Sequence, residues 1–138
     1  MSTNKLYIKC TFDGSGDQDY YLGAKGKNLR LTTFAEKHIW IQHFHLNSDS
    51  LFQLQHLHTQ GNYISSSKKR FRAVINKRKA WLIENTAEQL LVNTSLSESR
   101  FLGIRKSDDK MFWINEGNIS QGFSKVYCEL IFPSGENS

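Results

Sequence analysis

Seven cations, Lys68, Lys69, Arg70, Arg72, Lys77, Arg78 and Lys79, fall within twelve residues, and no acid lies between them. Ammonium and guanidinium groups at that density can neutralise phosphates or sulphates, with strong salt dependence. The competing reading is a solvated hairpin whose lysines keep a sheet edge from pairing with another chain. Histidines form a second constellation. His43-Phe44-His45 and His56-Leu57-His58 lie on either side of the turn Asn47-Ser48-Asp49-Ser50. The two-residue period of a strand puts both members of each pair on one face. Four imidazoles there would ligate a metal or titrate together near a pH of about 6.5. Surface histidines without either task are the expectation, and no metal site is assigned. No P-loop, HExxH sequence, nucleophile elbow or paired metal motif can be read. The chain is therefore expected to be a non-enzyme with no catalytic residue and no cofactor.

The elements that carry these groups read almost entirely as strand. Apolar and polar residues alternate in Leu29-Arg30-Leu31, Phe52-Gln53-Leu54-Gln55 and Phe71-Arg72-Ala73-Val74, the period of half-buried strands. Turn-forming clusters separate them, among them Asp13-Gly14-Ser15-Gly16-Asp17, Ser107-Asp108-Asp109 and Asn115-Glu116-Gly117-Asn118. No stretch sustains a helical period with caps.

The same order of elements occurs three times. An aromatic-aliphatic-small step recurs as Tyr21-Leu22-Gly23, Tyr63-Ile64-Ser65 and Phe101-Leu102-Gly103. A large aromatic near the end of each unit recurs as Trp40, Trp81 and Tyr127. A repeat of about 40 residues is one supersecondary unit that cannot bury its apolar face without its copies. Three copies of four short strands predict an all-β chain, a single β-trefoil domain over residues 1–138 with repeats at about 5–46, 47–88 and 89–133. Trp40, Trp81, Tyr127, Leu22, Ile64 and Leu102 are assigned to its core. Trp113, beside the variable loop of the third unit, is expected to be partly exposed. In that fold the first and last strands pair, which brings Cys10 and Cys128 side by side. Their expected state is a pair of buried small hydrophobes.

The wording of the units, Trp40-Ile41-Gln42 to Gly61-Asn62-Tyr63-Ile64-Ser65 and Trp81-Leu82-Ile83-Glu84 to Ser99-Arg100-Phe101-Leu102-Gly103, resembles the trefoil superfamily that includes fascins and hisactophilin. It covers about residues 6 to 132. The resemblance implies an actin-binding or anionic-membrane-associated protein that would use the basic second repeat. The Gln-x-Trp signature of ricin-type lectins is absent from all three units.

The 138 residues carry a formal charge of +5, which favours acidic partners without choosing among them. No apolar run is long enough to span a membrane. Met1-Ser2-Thr3-Asn4-Lys5 lacks the apolar core of a secretory signal, so a cytoplasmic location is expected. The leading functional expectation is carbohydrate binding of lectin type in shallow surface sites. A sugar site needs an aromatic face for the apolar side of the ring, and Asp or Asn to exchange hydrogen bonds. Two loops carry such groups: Asp17, Asp19 and Tyr20 in the first unit, and Trp113, Asn115 and Asn118 in the third. Actin or an anionic lipid is the alternative partner, and nucleic acid is not expected.

Overall fold

Strict alternation in Leu6-Tyr7-Ile8-Lys9-Cys10 turns Leu6, Ile8 and Cys10 inward, where none is accessible to solvent. This is strand β1 (Lys5–Phe12) of a computed structural model that describes residues 4–33, 38–46, 48, 50–59, 61–67, 71–77, 81–94 and 98–133. Eleven further strands follow: β2 (Tyr20–Lys25), β3 (Asn28–Thr33), β4 (Trp40–Phe44), β5 (Phe52–His56), β6 (Tyr63–Ser66), β7 (Ala73–Asn76), β8 (Ile83–Asn85), β9 (Leu91–Asn93), β10 (Arg100–Arg105), β11 (Met111–Ile114) and β12 (Phe123–Ile131). The one helix among the described residues, α1 (Glu116–Ile119), is a single turn between β11 and β12. The protein is all-β, as expected, and the twelve strands among the described residues join in one antiparallel sheet. Among the described residues no helix is long and apolar enough to cross a membrane.

The pairings recur by unit. β1 pairs β2, β5 pairs β6 and β9 pairs β10. Hairpins form at β2–β3, β6–β7 and β10–β11. Each unit's last strand pairs with the first strand of another unit, as β4–β5, β8–β9 and β12–β1. The hairpins in turn meet one another, through Asn28 opposite Val74 and Arg72 opposite Phe112.

The small step of the repeat has a steric cause. A Cβ on Gly103 would sit 2.3 Å from Ile114 Cδ1 and 2.9 Å from the Ser124 carbonyl oxygen. Beside it Leu102 is fully buried, as are Leu22 and Ile64 at the matching places. The large side chains then fill the space these steps leave. The Trp40 indole N–H donates to Leu22 O at 2.8 Å, and that of Trp113 to Ser65 O at 3.1 Å. A buried indole needs such an acceptor, because an orphaned N–H would forfeit its bond to water.

Two of the six assigned core positions are corrected. Trp81 is only partly buried, because it precedes β8 and Ile83, two residues on, is the fully buried one. Tyr127 is 38% exposed, since the inward parity of β12 falls on Ser124, Val126 and Cys128. The residues that meet across the unit junctions are thus Trp40 with His56, Ile83 with Asn93, and Cys128 with Cys10, all six fully buried. Trp113 is corrected in the other direction: it is 1% exposed.

Trp40→Ala is expected to cost about 3–5 kcal/mol, the range for deleting a large buried aromatic. Trp81→Ala is expected to cost roughly 2 kcal/mol or less, as a partly exposed side chain has less to lose. Urea unfolding of both variants measures the difference, and equal midpoints would contradict the assigned burial.

Candidate binding groove

The hairpin contacts position a hollow in the surface. It is a half-open groove of about 920 Å³ between β2–β3, the start of the β6–β7 hairpin's second arm and the β10–β11 turn. That volume lies within the range of small-molecule sites. Phe12 and Tyr20 line it and pack on each other at 5.6 Å between ring centroids. Around them stand Lys25, Asn28, Arg30, Thr33, His38, Arg72, Asp109 and Lys110. Four Lys and Arg residues and two carboxylates, Asp108 and Asp109, thus share the lining.

Tight turns set the rim. Gly26 has φ +64° between β2 and β3, in the left-handed region that a side chain disfavours. Asp109 adopts φ 61°, a conformation Asp tolerates better than most residues. Its neighbour Asp108 is spent on structure. Asp108 accepts two hydrogen bonds from the Arg105 guanidinium at 3.0 and 2.7 Å, and one from the Lys110 backbone N–H at 3.2 Å. The Arg105 hydrogen bond, chiefly, holds the Asp108 carboxyl down to a pKa of about 2. The Arg105 and Arg72 guanidinium carbons lie 4.8 and 5.5 Å from the Phe112 ring centroid. Arg72 Nε–H is shut from solvent and donates no hydrogen bond among the described residues.

Of the sequence-assigned ligand groups, only Tyr20 reaches this groove. Asp19 is ion-paired with Lys9 at 3.3 Å, and Asp17 is exposed on the β1–β2 loop. Trp113 is buried and offers no face to a ligand. Asn115 and Asn118 are engaged at α1, where Asn115 N–H donates to Asn118 Oδ1 at 3.0 Å and Asn118 Nδ2 donates to Gln121 Oε1 at 2.9 Å. The two loops do converge on a smaller hollow of about 300 Å³. There Asp13, Lys106, Glu116, Ile119 and the exposed Tyr127 meet, tied by Lys106–Asp13 at 3.5 Å and Lys125–Glu116 at 2.9 Å. Of the assigned basic patch, Arg72 lines the large groove and Lys77 is exposed. Lys68, Lys69, Arg70, Arg78 and Lys79 lie outside the described residues. The groove residues that sequence reasoning missed, Lys25, Asn28, Arg30 and Lys110, sit at or near hairpin turns; Ser107-Asp108-Asp109 was legible only as a turn.

Of the four paired histidines, His43, His45 and His58 are exposed as expected and His56 is not. His43 pairs across from Gln53, and its Nε2 contacts Gln55 Oε1 at 2.7 Å. His56 is fully buried rather than on the surface, with its ring 4.7 Å from that of Trp40. Its Nε2 shares a hydrogen bond with Nδ1 of His38, and its Nδ1 another with Thr59 Oγ1 at 2.9 Å. His58 meets both rings edge-on, at 5.8 and 6.1 Å. Among the described residues no group of three or more His, Cys, Asp or Glu is arranged to hold a metal ion.

Comparison with family models, curated proteins and solved structures finds no match, so the site rests on its geometry alone.

Burial, with the like charges of His38 and His58, lowers the His56 pKa from 6.5 to about 4. The unfolded chain therefore binds a proton here that the folded chain refuses. Stability from this ring is complete above about 6.5 and is lost as pH falls toward 4, by about 3 kcal/mol in all. His56→Gln should flatten that part of the stability–pH profile in urea titrations. A wild-type profile that is level between about pH 7 and 4.5, which spans most of the fall from 6.5 toward 4, or unchanged in slope by the substitution, would contradict the assignment.

Proposed function

We propose that the twelve strands form a β-trefoil and that the protein is a non-enzymatic, lectin-type binding protein whose ligand is a carbohydrate held in the large groove. The observation that carries the reading is the pairing of an aromatic wall, Phe12 and Tyr20, with a turn-borne polar rim in one half-open hollow. Sugar rings have an apolar face that stacks on an aromatic side chain. Their hydroxyls both donate and accept, which suits the mixed rim of Asn28, Thr33, Asp109, Lys25 and Arg30. A half-open groove also leaves the ends of a longer glycan free to run on into solvent. The trefoil reading is supported by the threefold recurrence of strand pairings and of buried junction pairs.

A second reading has its own observation. The excess of cations on the groove wall, including Arg72, suits an anionic partner such as an actin surface or an acidic lipid. Salt separates the two. Exposed charges act over a Debye length of about 8–10 Å near physiological ionic strength and are screened beyond it. A neutral-sugar site should change affinity less than about threefold between roughly 0.05 and 0.5 M salt. Tyr20→Ala, confirmed as folded by its melting curve, should weaken glycan binding by about tenfold, equivalent to about 1.4 kcal/mol. Glycan-array hits followed by calorimetry supply both measurements. Binding that vanishes at moderate salt and ignores Tyr20→Ala would overturn the sugar reading in favour of the anionic one.

A further inference from the structure

Two thiols face each other inside the seam that joins the first strand to the last. Cys10 on β1 is directly opposite Cys128 on β12, and their Sγ atoms are 3.9 Å apart although the residues are 118 apart in sequence. Both are free and fully buried. The Cys128 N–H donates away from β1, to Gln89 O at 2.7 Å, so the two cysteines form a non-hydrogen-bonded pair. In such pairs the side chains approach more closely than at hydrogen-bonded positions. A disulfide needs its β carbons roughly 3.5–4.5 Å apart, which directly opposed strand residues reach with little backbone movement. Each thiol also makes a long contact with a carbonyl oxygen of its own strand, Cys10 with Ile8 O and Cys128 with Val126 O, 3.8 Å each.

We propose that Cys10 and Cys128 are a latent disulfide site that fastens the first strand to the last, with a low-molecular-weight disulfide such as oxidised glutathione as the oxidant. The step balances as two exchanges. The thiolate of one cysteine attacks the glutathione disulfide, forms a mixed disulfide and releases one glutathione thiolate. The second cysteine's thiolate attacks the protein sulfur of that bond and releases the other. The two cysteine protons end on the two glutathiones, which are reduced as the cysteines are oxidised. Burial pushes the Cys10 thiol well up, with Cys128 beside it adding to the shift, so the closed seam resists attack. The bond therefore forms when β1 and β12 part, or before they dock in folding. Once formed, it is shielded from reductant by the same burial.

The test treats the wild-type chain with oxidised glutathione, with and without urea below the unfolding midpoint, then traps remaining thiols in denaturant for mass spectrometry. The expected product is a monomer lacking the mass of two hydrogens, with both thiols lost together and faster in urea. It should unfold in concentrated denaturant at least about tenfold more slowly than the reduced protein. Cys10→Ala and Cys128→Ala should each abolish the product, but the wild-type mass and thiol count stand without them. Both thiols still free after oxidation at partly opening urea, or only mixed disulfides and cross-linked dimers, would overturn the proposal.

Discussion

The pairing of the first strand with the last is the constraint on which the rest of the structure depends. Six residues of β1, from Tyr7 to Phe12, run opposite Ile131 to Val126. Without that seam both strands would present unpaired backbone along one side, a template for pairing with another chain. The same seam carries Cys10 and Cys128 into the core and, through Cys10 opposite Tyr20, fixes where β2 begins. Tyr20 is where the groove wall starts. A local choice of register between the first and last strands thus sets the position of a groove aromatic, because a slip of one residue would send each alternate side chain to the other face.

Inside the sheet, packing is organised around small residues that admit large ones. Gly103 yields to Ile114, and Gly23 lies so close to the His38 ring that a Cβ would come within 2.9 Å of it. That approach is what allows His38 to reach His56. The three junction pairs show how differently one location can be filled: indole with imidazole, isoleucine with asparagine, and two thiols. Each pair includes at least one group with some polarity at full burial. Those groups must find partners internally, as His56 does with Thr59. Shape complementarity is shared among the units, whereas polar satisfaction is solved separately in each.

The parts of the fold legible in the sequence are those where a steric need leaves one kind of residue. The aromatic-aliphatic-small step located Leu22, Ile64 and Leu102 because only a small residue can follow at Gly103. The aromatic near the end of each unit was a poorer guide. In Val126-Tyr127-Cys128 the size of tyrosine competes with period-2 alternation, and alternation decides, since it follows from the pleat itself. At Trp81 the strand simply begins later, so parity could not have been counted from that residue. Trp113 failed for the opposite reason. Its place beside a variable loop suggested exposure, yet β11 is buried at all four positions, a run without the alternation that marks a half-buried strand.

The groove was less legible because its charges are scattered along the chain. Lys25 and Arg30 flank one hairpin turn, Lys110 ends another, and Arg72 comes from the middle unit. Nothing in their spacing announces a site, while the dense run from Lys68 to Lys79 draws attention to itself. The scattered set is assembled by two backbone contacts, Asn28 opposite Val74 and Arg72 opposite Phe112, which bring the hairpins together. The Arg105–Asp108 ion pair then decides which turn groups remain for a ligand. It occupies one carboxylate with two hydrogen bonds and holds the backbone turn, leaving Asp109 to carry the remaining negative charge among the groove's cations. The character of the groove is therefore set by which charges the turns consume in folding, a quantity that composition alone does not contain.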